Sequence, residues 1–201
     1  MAISAKLVKQ LRDKTGAGMM DCKKALTATD GDLEKAVDWL REKGIAKAAK
    51  KQSRIAAEGL CNVLVNGEEA IIYELNSETD FVSKNENFTN LLDQVGQAIL
   101  NSTASNLEEA LTVELDGKTL ETVLVEATAR IGEKISLRRV SRFVKEATSS
   151  FGAYKHMGGK IVALTVVEGA DAATAKDVAM HVAAQNPLYL DQSFIPQDVR
   201  D

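Results

Sequence analysis

The dipeptide Asn66-Gly67 constrains this chain most. It separates two runs rich in Val, Ile and Tyr, Leu60 to Val65 and Ala70 to Leu75, with Glu68 and Glu69 opening the second. Asn-Gly between such runs is the strongest short-range hairpin signal, because both central positions of a type I′ turn need positive φ. An antiparallel hairpin therefore starts near Gly59, and whatever precedes it belongs to a different architecture.

What precedes it is helical. Ser4 is placed to cap a helix whose Leu7, Val8 and Leu11 share one face, and Gly16 with Gly18 breaks it. A second short helix spans about Met19 to Thr27. After the Asp30-Gly31 turn, Leu33, Ala36, Val37 and Leu40 recur at the spacing of a third, expected to end near Gly44. Ile45 to Ala57 reads as a helical or extended linker.

Beyond the hairpin, Ser83 and Glu86 are spaced as a capping box ahead of Phe88, Leu91, Leu92, Val95 and Ile99, a helical stripe. A similar unit recurs about 90 residues on. Phe151 to Tyr154, the turn Met157-Gly158-Gly159 and Ile161 to Val167 make a second hairpin, and Val178, His181 and Val182 are the expected apolar face of the next helix, which Asn186-Pro187 ends. Between the copies, Leu120, Val123, Leu124, Ala127 and Ile131 form one more stripe, and Ile135 to Val144 alternates like a long strand. The expected fold class is α+β: a three-helix bundle over residues 1–54, then antiparallel sheets with helices in two hairpin-helix units, 55–140 and 141–201.

Charge divides at the same place. Residues 1–54 carry 13 Lys and Arg against 7 Asp and Glu, a net of +6, and the remainder carries 12 against 22, a net of −10. A basic arm can bind nucleic acid, but Trp39 is the single aromatic in this one and its acids are interleaved with its lysines, so a solvated basic face is expected and no nucleic-acid partner. Residues 1–11 hold no apolar core of signal-peptide length, and uncharged stretches fall short of the ~18 residues of a membrane span, so the expectation is a cytoplasmic protein with no membrane partner.

The motifs of nucleotide, dinucleotide and zinc-protease chemistry are missing from the sequence, so no cofactor, no metal and no direct nucleotide binding are expected. Cys22 and Cys61 form no CxxC pair, and Cys22 reads as a plain small residue because no general base accompanies it. His181 reads as a core residue.

Two features resist a bland reading. Met19 and Met20 are adjacent at a loop-helix junction, where consecutive positions diverge by about 100°, so one of them should face outward as an adaptable contact. Thr79-Asp80-Phe81-Val82 lies between a strand end and a helix cap, where a phenylalanine has no periodic reason to sit. It is either a staple that folds back onto Phe88 or a wedge offered to a partner, and the residues by themselves favour the staple.

Two segments, TGAGMMDCKKAL within Leu11 to Leu26 and ETDFV at Glu78 to Val82, resemble the signature stretches of the elongation factor Ts family. The first is highly specific, the second is weak alone, and the similarity runs from residue 4 to about 190. The resemblance implies a ubiquitin-associated-like first bundle that grips the GTP-binding domain of elongation factor Tu, with Met19, Met20 and Lys23 as contacts. It gives Thr79, Asp80, Phe81 and Val82 the role of entering the partner and disturbing its Mg²⁺ site. It has the turn from Tyr154 to Gly159, with His156, Met157 and Gly158, touch a more distant domain of the partner. The implied activity is guanine nucleotide exchange, with no bond made or broken, and the wedge reading of Phe81 then prevails. The rival from another class is an RNA-associated scaffold without exchange activity. Many members of that family continue with a helical hairpin and a closing segment where this chain stops at Asp201, so the second unit is expected to be incomplete.

Overall fold

The computed structural model describes residues 3–200. Helices α1 (Ala5–Thr15), α2 (Met19–Ala28) and α3 (Leu33–Ala49) form the expected bundle around Val8, Leu11, Cys22, Ala25, Leu26 and Ala36. Ser4 Oγ accepts from the Leu7 N–H at 3.2 Å, Gly16 closes α1 at φ 66°, and Asp32 accepts from Glu34 and Lys35 at the head of α3. Gly44 does not end α3. The helix runs through it to Ala49, and a Cβ at Gly44 would sit 2.9 Å from the Cβ of Ala129. Its glycine serves close helix packing, and much of the expected linker is the last turns of α3.

Strands β1 (Glu58–Asn66) and β2 (Glu69–Ser77) pair antiparallel in the anticipated hairpin. Its turn differs from the type I′ expectation. Asn66 pairs with Glu69, so the two loop residues are Gly67 and Glu68, and of the residues from Asn66 to Glu69 only Gly67 has positive φ, at 63°. That is the pattern of a turn with glycine first.

After β2 come a one-turn helix α4 (Asp80–Ser83), α5 (Glu86–Leu100), α6 (Leu107–Thr112), the two-residue strands β3 (Glu114–Leu115) and β4 (Lys118–Thr119), α7 (Leu120–Ile131) and β5 (Ser136–Val144). Helix α6 and the β3–β4 pair are too short to register as periods. β5 adds to β2 to give the sheet order β1-β2-β5. The expected boundary at 140/141 falls inside β5, which pairs with β2 on both sides of it.

The main core lies between this sheet and α5 and α7, with Ile71, Tyr73, Leu75, Phe88, Leu92, Val95, Ile99 and Leu120 fully covered. Burial of a polar tip requires partners. Tyr73 donates to Leu92 O at 2.8 Å and accepts from Asn62 at 3.1 Å, and Asn62 also donates to Asp93. Arg142 of β5 reaches under the end of α5 and donates to Ile99 O at 2.6 Å and Ser102 O at 2.8 Å, closing the helix onto the sheet.

Strands β6 (Ser149–His156) and β7 (Ile161–Glu168), with α8 (Ala172–Gln185), form the second hairpin-helix unit, with its own two-stranded sheet. The face of α8 is not the expected one. Ala175 and Ala179 are buried, whereas Val178 and His181 are exposed, so His181 is not a core residue. The reason is space. A Cβ on Gly152 would lie 1.8 Å from Ala175 O, so helix and strand meet backbone to backbone, and only small side chains fit between them. Asn186 ends α8 in the left-handed region at φ 48°. The unit docks on β1, where the Cys61 N–H donates to Gly159 O at 2.7 Å and Lys155 Nζ donates to Asn62 Oδ1 at 3.2 Å.

Candidate functional site

Asp80 to Ser83 form one turn of helix, with Thr79 at its N-cap and the two apolar residues Phe81 and Val82 on different sides. Successive helical positions diverge by about 100°, so a turn that buries one neighbour exposes the other. Val82 packs against the main core and Ser83 is fully buried, its Oγ donating to Asp80 O at 3.1 Å. Phe81 is 84% exposed. An inward-packed and a solvent-facing apolar residue are therefore neighbours in the chain. Because Ser83 lies inside α4, the expected capping box with Glu86 does not form, and Asn85 caps α5 by accepting from the Asn87 N–H at 2.9 Å. Asp80 is paired with Lys84 at 2.6 Å, and that ammonium holds its carboxyl below the usual carboxylate range.

The turn is braced from a place the sequence did not reveal. Glu133, two residues past the end of α7, accepts from the Glu78 N–H at 3.1 Å, the Thr79 N–H at 2.9 Å and the Thr79 hydroxyl at 2.7 Å. In return Glu78 accepts from the Lys134 N–H at 2.7 Å and pairs with Arg54 at 3.3 Å. Lys134 Nζ donates to Gln52 O at 2.6 Å and to Arg54 O at 3.2 Å, which ties the connector after α3 to the same corner. Glu133 and Lys134 lie more than 50 residues from Thr79 and form no motif with it.

The Lys134 N–H, ahead of the Arg54 charge, holds the Glu78 carboxyl below the usual range. A lowered folded-state value means the contribution is complete above the unfolded value, near pH 4.3, and is lost as pH falls through the folded one. Protonating Glu78 is therefore expected to free the Lys134 amide. Amide exchange of Lys134, corrected for intrinsic rate, should lose protection only below about pH 4.3, and Glu78→Ala, which removes the acceptor, should remove that protection at neutral pH.

The other expected contacts lie elsewhere on the surface. Met19 and Met20 are 58% and 64% exposed, so both methionines face outward, not one. They occupy the first turn of α2, and Cys22, Ala25 and Leu26 supply its buried face. Lys23 is exposed beside them, and Asp21 pairs with Lys47 of α3 at 3.1 Å. Burial pushes the Cys22 thiol up, away from the thiolate a nucleophile needs. His156, Met157 and Gly158 form the β6–β7 turn. His156 Nδ1 lies 2.9 Å from the Tyr154 hydroxyl, Met157 is exposed at φ 48°, and Gly158 and Gly159 follow at φ 68° and 107°. Gly159 must be a glycine, since a Cβ there would lie 2.5 Å from Cys61 O of β1. The expected site residues thus form three groups, one on α2, one on α4 and one on the second hairpin, the last two fastened to the central sheet. Among the described residues no group of His, Cys, Asp and Glu is arranged to hold a metal ion, and no helix is long and apolar enough to cross a membrane.

Residues 78–201 match the family model described as elongation factor TS, and residues 1–49 match that of the mitochondrial elongation factor Ts N-terminal domain. Elongation factor Ts of Acholeplasma laidlawii (strain PG-8A) is 57% identical over 198 residues, a span of 98% of this chain and 67% of that relative. The bundle, the hairpin-helix body and these matches together define a translation elongation factor. The chain belongs to the elongation factor Ts family.

Proposed function

We propose that this protein is a guanine nucleotide exchange factor for elongation factor Tu, acting in the cytoplasm without catalysing a covalent reaction and without a cofactor of its own. The observation that carries the reading is Phe81, an aromatic residue held 84% exposed on a helical turn whose other side is anchored in the core. A solvated phenylalanine gains free energy by leaving water, and a braced one loses little freedom in doing so. Its natural destination is an apolar slot in a partner.

A GTPase holds its nucleotide largely through phosphate contacts and a bridging Mg²⁺. Inserting Phe81, with the Asp80 carboxylate beside it, displaces the partner's elements that orient the metal's water ligands, and the site loosens. Thr79 and Val82 fix the turn. In the same reading residues 1–54 grip the GTP-binding domain through Met19, Met20 and Lys23, the body around the β1-β2-β5 sheet delivers the wedge, and the unit of β6, β7 and α8 reaches a more distant domain through His156, Met157 and Gly158. Linkage makes the effect reciprocal: nucleotide weakens the factor's grip by the same ratio that the factor weakens nucleotide binding, so an excess of GTP drives the cycle forward.

Adding the protein to elongation factor Tu loaded with fluorescent GDP is expected to accelerate GDP release in proportion to the complex formed. An unchanged release rate at saturating protein rejects the reading.

A further inference from the structure

A helix of four residues has no stability of its own, since one turn fixes several dihedrals for a single hydrogen bond. The aim of α4 must therefore come from what holds its ends. Its C-terminal end is held by Val82 and the buried Ser83. At the N-terminal end Thr79 stands in the capping position, with extended backbone at φ −126° and ψ 157°, but its side chain does not cap the helix. The hydroxyl that would ordinarily accept from an N–H of the first turn is turned away and donates to Glu133 Oε1. Both amides leading into the turn donate to Glu133 Oε2.

Glu133 is itself fixed. Gly132 closes α7 in the left-handed region at φ 92° and receives the Lys51 ammonium on its carbonyl, and the next residue, Lys134, is held by Glu78 and by the carbonyls of Gln52 and Arg54. One carboxylate thus takes three hydrogen bonds from two consecutive residues of the wedge loop, from a point fastened to the connector that follows the bundle. Hydrogen bonds to a charged acceptor are the strong ones.

We propose that Glu133 is the positioning residue of the exchange site: its carboxylate clamps Thr79 and the residue before it, the entry to α4, and so sets the direction in which Phe81 is presented. The proposal rests on the exchange reading for its functional consequence and on the free protein for its structural one, and the two are tested separately. Glu133 touches no partner group in this scheme and acts only through Thr79 and Phe81.

In the free protein, Glu133→Ala is expected to release the amides of Glu78 and Thr79 to rapid hydrogen exchange, while those of Tyr73 and Leu92 in the core stay protected. GDP release from elongation factor Tu should then slow about ten-fold, equivalent to ~1.4 kcal/mol. The double variant Phe81→Ala with Glu133→Ala should release GDP no more slowly than Phe81→Ala, because a misdirected wedge and an absent one are the same loss. Glu133→Gln keeps an oxygen able to accept from both backbone amides and should restore most of the protection and most of the rate. Unaltered protection of Glu78 and Thr79 in Glu133→Ala overturns the proposal. So does a double variant slower than Phe81→Ala by the full effect of the Glu133 change, which would mark a general structural role. If the native protein itself leaves GDP release unchanged, the exchange reading fails, and amide protection alone then decides for or against the brace.

Discussion

Phe81→Ala is expected to slow the protein-stimulated release of GDP from elongation factor Tu by about one to two powers of ten at subsaturating protein, with the fold unchanged. Burial of a phenylalanine side chain is worth roughly 1.5 to 3 kcal/mol, and each 1.4 kcal/mol is a factor of about ten. That free energy is gained only when the ring enters the partner, because 84% of the residue is in water beforehand. Substitutions at exposed positions away from caps and strained backbone change stability by less than about 0.5 kcal/mol, so thermal melting of the variant should overlie that of the native protein. A marked fall in melting temperature would mean that Phe81 belongs to its own domain's packing, and the wedge reading would lose its support. Val82→Ala provides the internal contrast. Its side chain packs against the core, so the same truncation one residue along should lower stability.

Gly152→Ala is the second large effect, and it falls on stability. The added Cβ would lie 1.8 Å from Ala175 O and 2.5 Å from Thr165 Oγ1, and the first of these is backbone that no rotamer change can move. Thr165 Oγ1 also donates to Ala175 O at 2.9 Å, so separating α8 from β6 breaks that bond as well. Forcing extra volume into a packed contact typically costs 1–3 kcal/mol, and about 3 kcal/mol is expected here because backbone meets backbone. The damage should be local. The sheet of β6 and β7 is separate from that of β1, β2 and β5, so amide exchange should quicken through α8 while β1 and β2 keep their protection. Equal loss across both sheets would show that the two units unfold as one.

These two positions differ in how far they could be read beforehand. Phe81 stood out because it broke the pattern around it, and a residue that periodicity does not explain is a candidate for function. Gly152 gave no such sign. Its role depends on the approach of a helix that begins 20 residues later. The same contrast holds for the caps. Ser4 and Asn186 are where the sequence placed them, because each helix end is settled among residues three or four apart. The Ser83 cap failed because its side chain is drawn into the core along with α4. Gly44 looks like a stop in the sequence, where nothing signals that Ala129 lies against it. The buried face of α8 was misplaced because its partner is a backbone surface, which prefers alanines to the larger Val178 and His181.

The three helices, both hairpins, the amphipathic faces of α5 and α7, and the two signature stretches that mark the family are legible in the sequence, since these depend on residue identities within a few positions of one another. The packing of distant segments decides that Met19 and Met20 both face solvent, that Val82 turns in and Phe81 out, and that Glu133 holds the residues leading into them. Periodicity and capping act along the chain, whereas the residues that lead into this one-turn helix are held by hydrogen bonds to a single carboxylate, Glu133, 54 and 55 positions away in sequence.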